Sequence, residues 1–137
     1  VKTFTATGER IGSLWGFKQF IENRAIDVAQ PDLGVVGGIT EMKKVCDYAH
    51  AYDVGIQMHC MAGPIACAAT VQVEAAISNF VYHECLQWNT LPVFTTIGKH
   101  DDMLIPVNGS YNIPDRPGIG QELSEEAIAG AEHILVK

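Results

Sequence analysis

Glu9, Asp32, His59 and Glu84 recur at gaps of 23, 27 and 25 residues, and each closes a short apolar run. Glu9 follows Gly8 and offers the oxygen donor that a hard cation such as Mg²⁺ prefers, although magnesium usually takes more than one protein carboxylate. The bland alternative is a solvated ion pair with its neighbour Arg10. Asp32 and His59 are expected at the ends of adjacent strands. Neighbouring parallel strands lie about 4.8 Å apart, so side chains at their tips can hydrogen-bond. A carboxylate that accepts from one imidazole nitrogen fixes the tautomer and raises the basicity of the other. The result is a base able to take a proton from carbon, or an acid able to return it. An aspartate capping a loop beside an unrelated histidine is the competing reading. Glu84, if protonated, can donate a hydrogen bond to a developing oxyanion; a partly buried glutamate paired with arginine is its rival. His83 and Glu84 face opposite sides of a strand, and Glu84 is the one expected to point into the functional end. Cys46 with His50, the run His100-Asp101-Asp102, and His133 are weaker candidates, expected to serve packing or solvation. Trp88 could lie against a substrate or plug the mouth of the site.

Those four residues need a scaffold that delivers a side chain about every 25 residues. Alternating β/α units do so, at roughly 25 to 30 residues each, from the C-terminal ends of successive parallel strands. The spacing predicts strands over 1–7, 25–29, 54–58 and 80–82. Helices are expected over 13–23, with Ser13 as a cap and Leu14, Phe17, Phe20 and Ile21 inward, and over 39–51 with Met42, Val45, Cys46 and Ala49 inward. Pro64 is placed to open a third helix over 65–78, so poor in charge that it must be buried on more than one side. Beyond residue 86 the beat stops. Pro92, Pro106, Pro114 and Pro117 punctuate an irregular stretch before a final helix over 124–134, led by Ser124. Four units do not close an eight-stranded barrel. The chain reads as an α/β protein: about four β/α units, the C-terminal half of a (β/α) barrel over 1–90, followed by a tail over 91–137. An independent four-stranded layer is the alternative.

The chain has 137 residues, of which 47% are apolar, and a formal net charge of −7 with a pI near 5.0. That acidity argues against a nucleic-acid partner, which needs a basic face. No apolar run approaches the roughly 20 residues of a membrane span. Cys46, Cys60, Cys67 and Cys85 show no zinc spacing and are expected as reduced, buried thiols of a cytoplasmic protein. The chain opens on Val1 inside a strand-like run, without Met, as expected of a processed protein or of a piece of a longer one.

The phrases around the four residues resemble the mandelate racemase/muconate lactonizing branch of the enolase superfamily. They are Ala6-Thr7-Gly8-Glu9-Arg10, Gln30-Pro31-Asp32, Gly37-Gly38-Ile39-Thr40-Glu41, Met58-His59-Cys60, Gly63-Pro64-Ile65-Ala66, Glu84 itself, and Pro117-Gly118-Ile119-Gly120. The wording is most similar to acid-sugar dehydratases of the galactonate dehydratase kind. The resemblance implies that Glu9 is the third Mg²⁺ ligand, on the fifth barrel strand. It makes Asp32 and His59 the dyad of strands six and seven, and Glu84 the eighth-strand glutamate that bonds the substrate carboxylate. It implies a Mg²⁺-dependent sugar-acid dehydratase, a homo-oligomer when complete, with residues 91–137 returning to an N-terminal capping domain. The other two Mg²⁺ ligands would precede Val1, so the chain alone is expected to be inactive. Met58 stands where many relatives carry proline. A racemase or epimerase of the same superfamily is the runner-up, and a non-catalytic remnant that binds through its strand edges is a third reading.

Overall fold

The structure, a computed structural model, describes residues 2–100, 102 and 105–136. Strands and helices alternate through the first half of the chain: β1 (Ala6–Thr7), α1 (Ser13–Glu22), β2 (Val28–Ala29), α2 (Leu33–Val36), α3 (Ile39–His50), β3 (Gly55–Ile56) and α4 (Pro64–Ala75). The three strands are parallel and stand in chain order, with Ala6 against Val28, Thr7 against Ala29, Val28 against Gly55 and Ala29 against Ile56. Sequential neighbours linked by helical crossovers are what a barrel wall requires. The fold is a segment of an α/β barrel.

The predicted strands are longer than the regular ones, because the ladder continues past them as single bonds. Asp27 N–H reaches Thr5 O at 2.9 Å, Gln57 N–H reaches Ala29 O at 3.1 Å, and His59 N–H reaches Pro31 O at 3.1 Å. That last bond belongs to a parallel bridge between Asp32 and His59, so the sheet holds together as far as these two residues. The fourth strand, expected over 80–82, is reduced to one bridge between Ile56 and Phe80. It is held by Ile56 N–H to Asn79 O and Val81 N–H to Ile56 O, both 2.8 Å. Phe80, Val81 and Tyr82 are exposed, and among the described residues nothing pairs with their outer side.

Helices cover the outer face of the sheet, with α1 packed on α3 and α3 on α4. Of the expected inward residues of α1, Phe17 and Ile21 are fully buried, while Leu14 and Phe20 pack partly buried against the same core. All four predicted inward residues of α3 are fully buried. α4 is buried on most sides, as its lack of charge demands. Gly37 ends α2 at φ 117° and Gly38 opens α3 at φ 85°, so two left-handed residues in succession make a corner that β-carbon-bearing residues resist.

Two helix ends differ from expectation. Ser13 does not cap α1: it is the first helical residue, the cap position falls on Gly12, and no side chain of the cap accepts a hydrogen bond. Glu41 of α3 takes the role instead, accepting Leu14 N–H at 3.0 Å. That N–H is the main reason the Glu41 carboxyl lies below the usual carboxylate range, with Lys44 adding to it. The final helix, α6 (Glu125–Gly130), is shorter than predicted. Ser124 caps it, accepting Ala127 N–H at 3.1 Å, but none of its residues is buried, and Ile134, Leu135 and Val136 beyond it are exposed. Without an apolar face packed on anything, propensity alone does not sustain a longer helix. Between α4 and α6 run a 3₁₀ turn at Gln87–Thr90 and the short α5 (Pro92–Thr95).

Candidate active site

The sheet brings the four strand-end residues into one row. Asp32 divides its carboxylate between two tasks. Oδ1 accepts Gly34 N–H at 2.8 Å and Val35 N–H at 3.0 Å, capping α2. Oδ2 meets His59 Nδ1 at 2.8 Å. The dyad and the loop cap, rivals in the sequence, are therefore both present on one side chain. Because two peptide N–H groups clamp one oxygen, the other is aimed. A carboxylate partner favours the tautomer with the proton on His59 Nδ1 and leaves Nε2 as the ring nitrogen that can accept.

That Nε2 lies 3.3 Å from Glu9 Oε2, and Glu9 Oε1 lies 3.4 Å from Arg10 Nε. Glu9 is half-exposed, and its ion pair with Arg10 is of the surface kind worth at most about 1 kcal/mol. Gly8 shapes its approach: at φ 141°, a Cβ would stand 2.7 Å from the ring of buried Phe17 and 3.1 Å from Gln30 N. At the far end of the row, Glu84 Oε2 accepts Cys60 N–H at 2.7 Å, so Glu84 is tied to the peptide just after His59. No arginine pairs with it among the described residues. Beneath the row, Cys60 donates to Cys67 with the sulfurs 3.2 Å apart. This hydrogen bond, then burial, pushes the Cys60 thiol far above its ordinary value.

Glu9 supplies the anionic oxygen that suits Mg²⁺. The donor chemistry fits one ligand of such an ion, not a whole site. Among the described residues, no group of three or more His, Cys, Asp or Glu side chains is placed to hold a metal.

The weaker candidates stay apart from the row. His50 faces Ser78 Oγ at 3.4 Å rather than joining Cys46. His100 is held through its backbone by Gln121, and His133 is exposed, its Nε2 3.2 Å from Ile128 O. Asp101 and the Trp88 side chain lie outside the described residues. Cys46, Cys60 and Cys67 are free and buried, whereas Cys85, expected inside, is exposed because it lies past the last bridged strand. Sequence reasoning does not single out Glu74. It is 6% exposed, and its Oε2 lies 2.6 Å from His83 Nδ1. The available signal is a lone carboxylate in an otherwise uncharged helix. Glu74 and His83 also line a cavity of about 550 Å³ with Val71, Phe80 and Tyr111, on the other side of the last strand from Glu84.

With this geometry in place, comparison with known proteins is direct. Residues 1–127 match the family model described as Enolase C-terminal domain-like. The chain belongs to that family. It is 36% identical over 126 residues to a D-galactonate dehydratase of Cronobacter sakazakii, covering 90% of this chain and 33% of the relative. A D-galactonate dehydratase of Variovorax paradoxus is 37% identical over 130 residues, covering 92% of this chain and 34% of the relative. The chain thus spans about a third of the length of the curated relatives it matches. Among solved structures, a member of the enolase superfamily from Salmonella Typhimurium superposes with a TM-score of 0.94 at 45% identity. That match covers all of this chain and 34% of the other. A mandelate racemase/muconate lactonizing enzyme from Sulfitobacter sp. gives a TM-score of 0.83 at 32% identity, covering 92% of this chain and 31% of that one.

Proposed function

We propose that this chain is the C-terminal half of the barrel of a Mg²⁺-dependent sugar-acid dehydratase. In this reading, residues 1–90 supply strands five to eight and residues 91–137 form a tail that returns to a capping domain. The observation that carries the proposal is the 2.8 Å bond from His59 Nδ1 to Asp32 Oδ2, which leaves Nε2 as the outward nitrogen in the same row as Glu9 and Glu84. His59 Nε2 takes the proton from C2 of the sugar acid. Asp32 holds the ring in the productive tautomer and stabilises the imidazolium that results. Glu84, anchored by Cys60 N–H at Oε2, donates to the substrate carboxylate when its carboxyl carries a proton, as negative charge builds on the substrate. Glu9 would hold Mg²⁺ together with ligands from elsewhere in the barrel, and the ion, when bound, supplies the positive charge that makes a proton beside a carboxylate removable. Glu9 and His59 touch, so substrate entry must part them. The 3-hydroxyl then leaves as water with a proton from the His59 imidazolium, and the enol left behind tautomerises to a 2-keto-3-deoxy acid. D-galactonate dehydratases as relatives support this substrate class. A cytoplasmic homo-oligomer completes the proposal, resting on the reduced thiols and the resemblance to the family.

The test is a sugar-acid screen on the complete polypeptide with Mg²⁺, read by semicarbazide for 2-keto product. The expected result is turnover of at least one acid by the complete polypeptide and none by the 137-residue chain alone. Exchange of the C2 proton with no loss of water would replace dehydration by epimerisation, the reading that likeness to a mandelate racemase/muconate lactonizing enzyme favours. A defined complex with another protein and no Mg²⁺-dependent turnover would favour a binding remnant.

A further inference from the structure

Glu74 and His83 form a buried ionisable pair that the proposed chemistry does not use. Glu74 comes from the last turn of α4, the helix that follows the His59 strand, and His83 comes from the next strand, one residue before Glu84. Their side chains are 5% and 6% exposed, and Oε2 lies 2.6 Å from Nδ1. His83 is also held edge-on by the Tyr111 ring, 4.6 Å away between centroids. Strand alternation sends His83 toward α4 and Glu84 to the opposite side, where its carboxylate accepts the Cys60 N–H at 2.7 Å.

Burying a charged pair is costly, and an apolar pair of similar volume is often as stable or more so. Stability alone is therefore a poor account of this one. Its position offers a better one: the strand segment bearing Glu84 makes a single bridge, at Phe80, so backbone pairing leaves its tip underdetermined. The hydrogen bond between His83 Nδ1 and the accepting Glu74 Oε2 pins that tip one residue before Glu84. The same carboxyl feels the Met58 N–H, one residue before His59. Oε1 completes no hydrogen bond, and neither does His83 Nε2, so the pair is held by one directional contact.

We infer that Glu74 is a positioning residue: through His83 it sets the strand end from which Glu84 reaches the Cys60 peptide beside His59. The inference rests on the proposed sugar-acid reading for its kinetic consequence, though not for its structural one. Misplacement of a catalytic group by about 1 Å can cost about a hundredfold in rate.

The test compares four variants of the complete, Mg²⁺-loaded protein: Glu74→Gln, Glu74→Ala, the apolar pair Glu74→Met with His83→Phe, and Tyr48→Phe. The last removes a 2.5 Å bond to Glu22 between α1 and α3 that touches no strand end. Two readouts are taken, kcat against KM for the sugar acid and the amide proton resonance of Cys60, which reports its bond to Glu84. Expected for the apolar pair is a protein as heat-stable as wild type, with kcat lowered about ten- to a hundredfold, KM changed far less, and the Cys60 resonance shifted toward that of an unbonded amide. Glu74→Ala should do the same with loss of stability. Glu74→Gln, which keeps an acceptor for His83, should recover most of kcat, and Tyr48→Phe should leave both readouts unchanged. An apolar pair with wild-type kcat and an unmoved Cys60 resonance overturns the inference and makes the pair merely structural. If the wild type turns over no sugar acid, the functional reading fails, and the Cys60 resonance alone decides this one.

Discussion

The strand-and-helix region up to Glu84 and the tail after it are built by different physics. Every buried hydrophobic side chain of the described residues falls between Phe17 and Val73. Among the tail's described residues the buried positions are Asn89, Gly98, Gly120 and Gln121, none of them a large apolar group. The tail is instead latched by polar groups. Gln121 bonds the backbone of His100 in both directions, Arg116 grips Asp102 at 2.7 and 3.0 Å, and Ser124 Oγ donates to Thr96 O at 2.5 Å. Apolar burial is non-directional and can hold a sheet by itself, whereas such latches fix a path without supplying much net stability. The difference teaches that the first region carries its own core, whereas the tail leaves Val93, Ile128, Ile134 and Leu135 exposed.

The contrast can be broken at the site first. His59→Asn in the complete polypeptide should lower kcat about 10²- to 10⁴-fold while leaving the melting temperature near wild type, because His59 works at the tip of the core rather than inside it. A fall in melting temperature that accounts for the lost activity would erase the distinction between chemistry and core.

Phe17→Ala removes a fully buried ring from the core of the first region and should cost about 3 to 5 kcal/mol by denaturant titration. Ile128→Ala, on a helix with no buried residue, should stay within about 0.5 kcal/mol. Comparable losses at both positions would mean that the tail has a hidden core. Gly8→Ala tests how the core reaches the site, since its Cβ would press on Phe17 at 2.7 Å from a backbone with φ 141°. About 1 to 3 kcal/mol of destabilisation is expected, with weakened Mg²⁺ binding through Glu9. Wild-type Mg²⁺ affinity in that variant would free Glu9 from dependence on the Phe17 packing.

The smallest effect belongs to the tail and to pH. Arg116 holds the Asp102 carboxyl below its ordinary value, first through their hydrogen bonds. A depressed folded pKa means that the pair's contribution is complete above the unfolded value, near about 4, and disappears as pH falls through the lower folded value. Amide exchange over residues 99–123, corrected for its intrinsic pH dependence, should therefore quicken as pH falls through about 4, and Arg116→Ala should abolish the step. Both partners are partly exposed, so the effect is expected to be small and to shrink with salt. No step in wild type would show that the latch does not hold the tail's path.

Much of the first region is legible because its signals are local. The 3.6-residue period puts Met42, Val45, Cys46 and Ala49 on one face whatever lies opposite, and all four are buried. Pro64 opens its helix because its ring favours the first helical position. The tail is illegible by the same reasoning. Its order comes from single side chains reaching backbone groups or other side chains 14 to 28 residues away, for which no periodicity exists.

The sequence by itself determined the beat of Glu9, Asp32, His59 and Glu84 and the alternation of strand and helix that carries them. Both are written in apolar spacing and punctuation along the chain. Only the tertiary structure decided that Glu41 from another helix caps α1, that Asp32 serves a helix cap and a histidine at once, and that a lone carboxylate of α4 meets His83. The contacts of Glu41 with Leu14, Asp32 with His59 and Glu74 with His83 join groups 9 to 27 residues apart. A hydrogen bond is set by where folded backbones bring its partners, and one-dimensional spacing does not encode that.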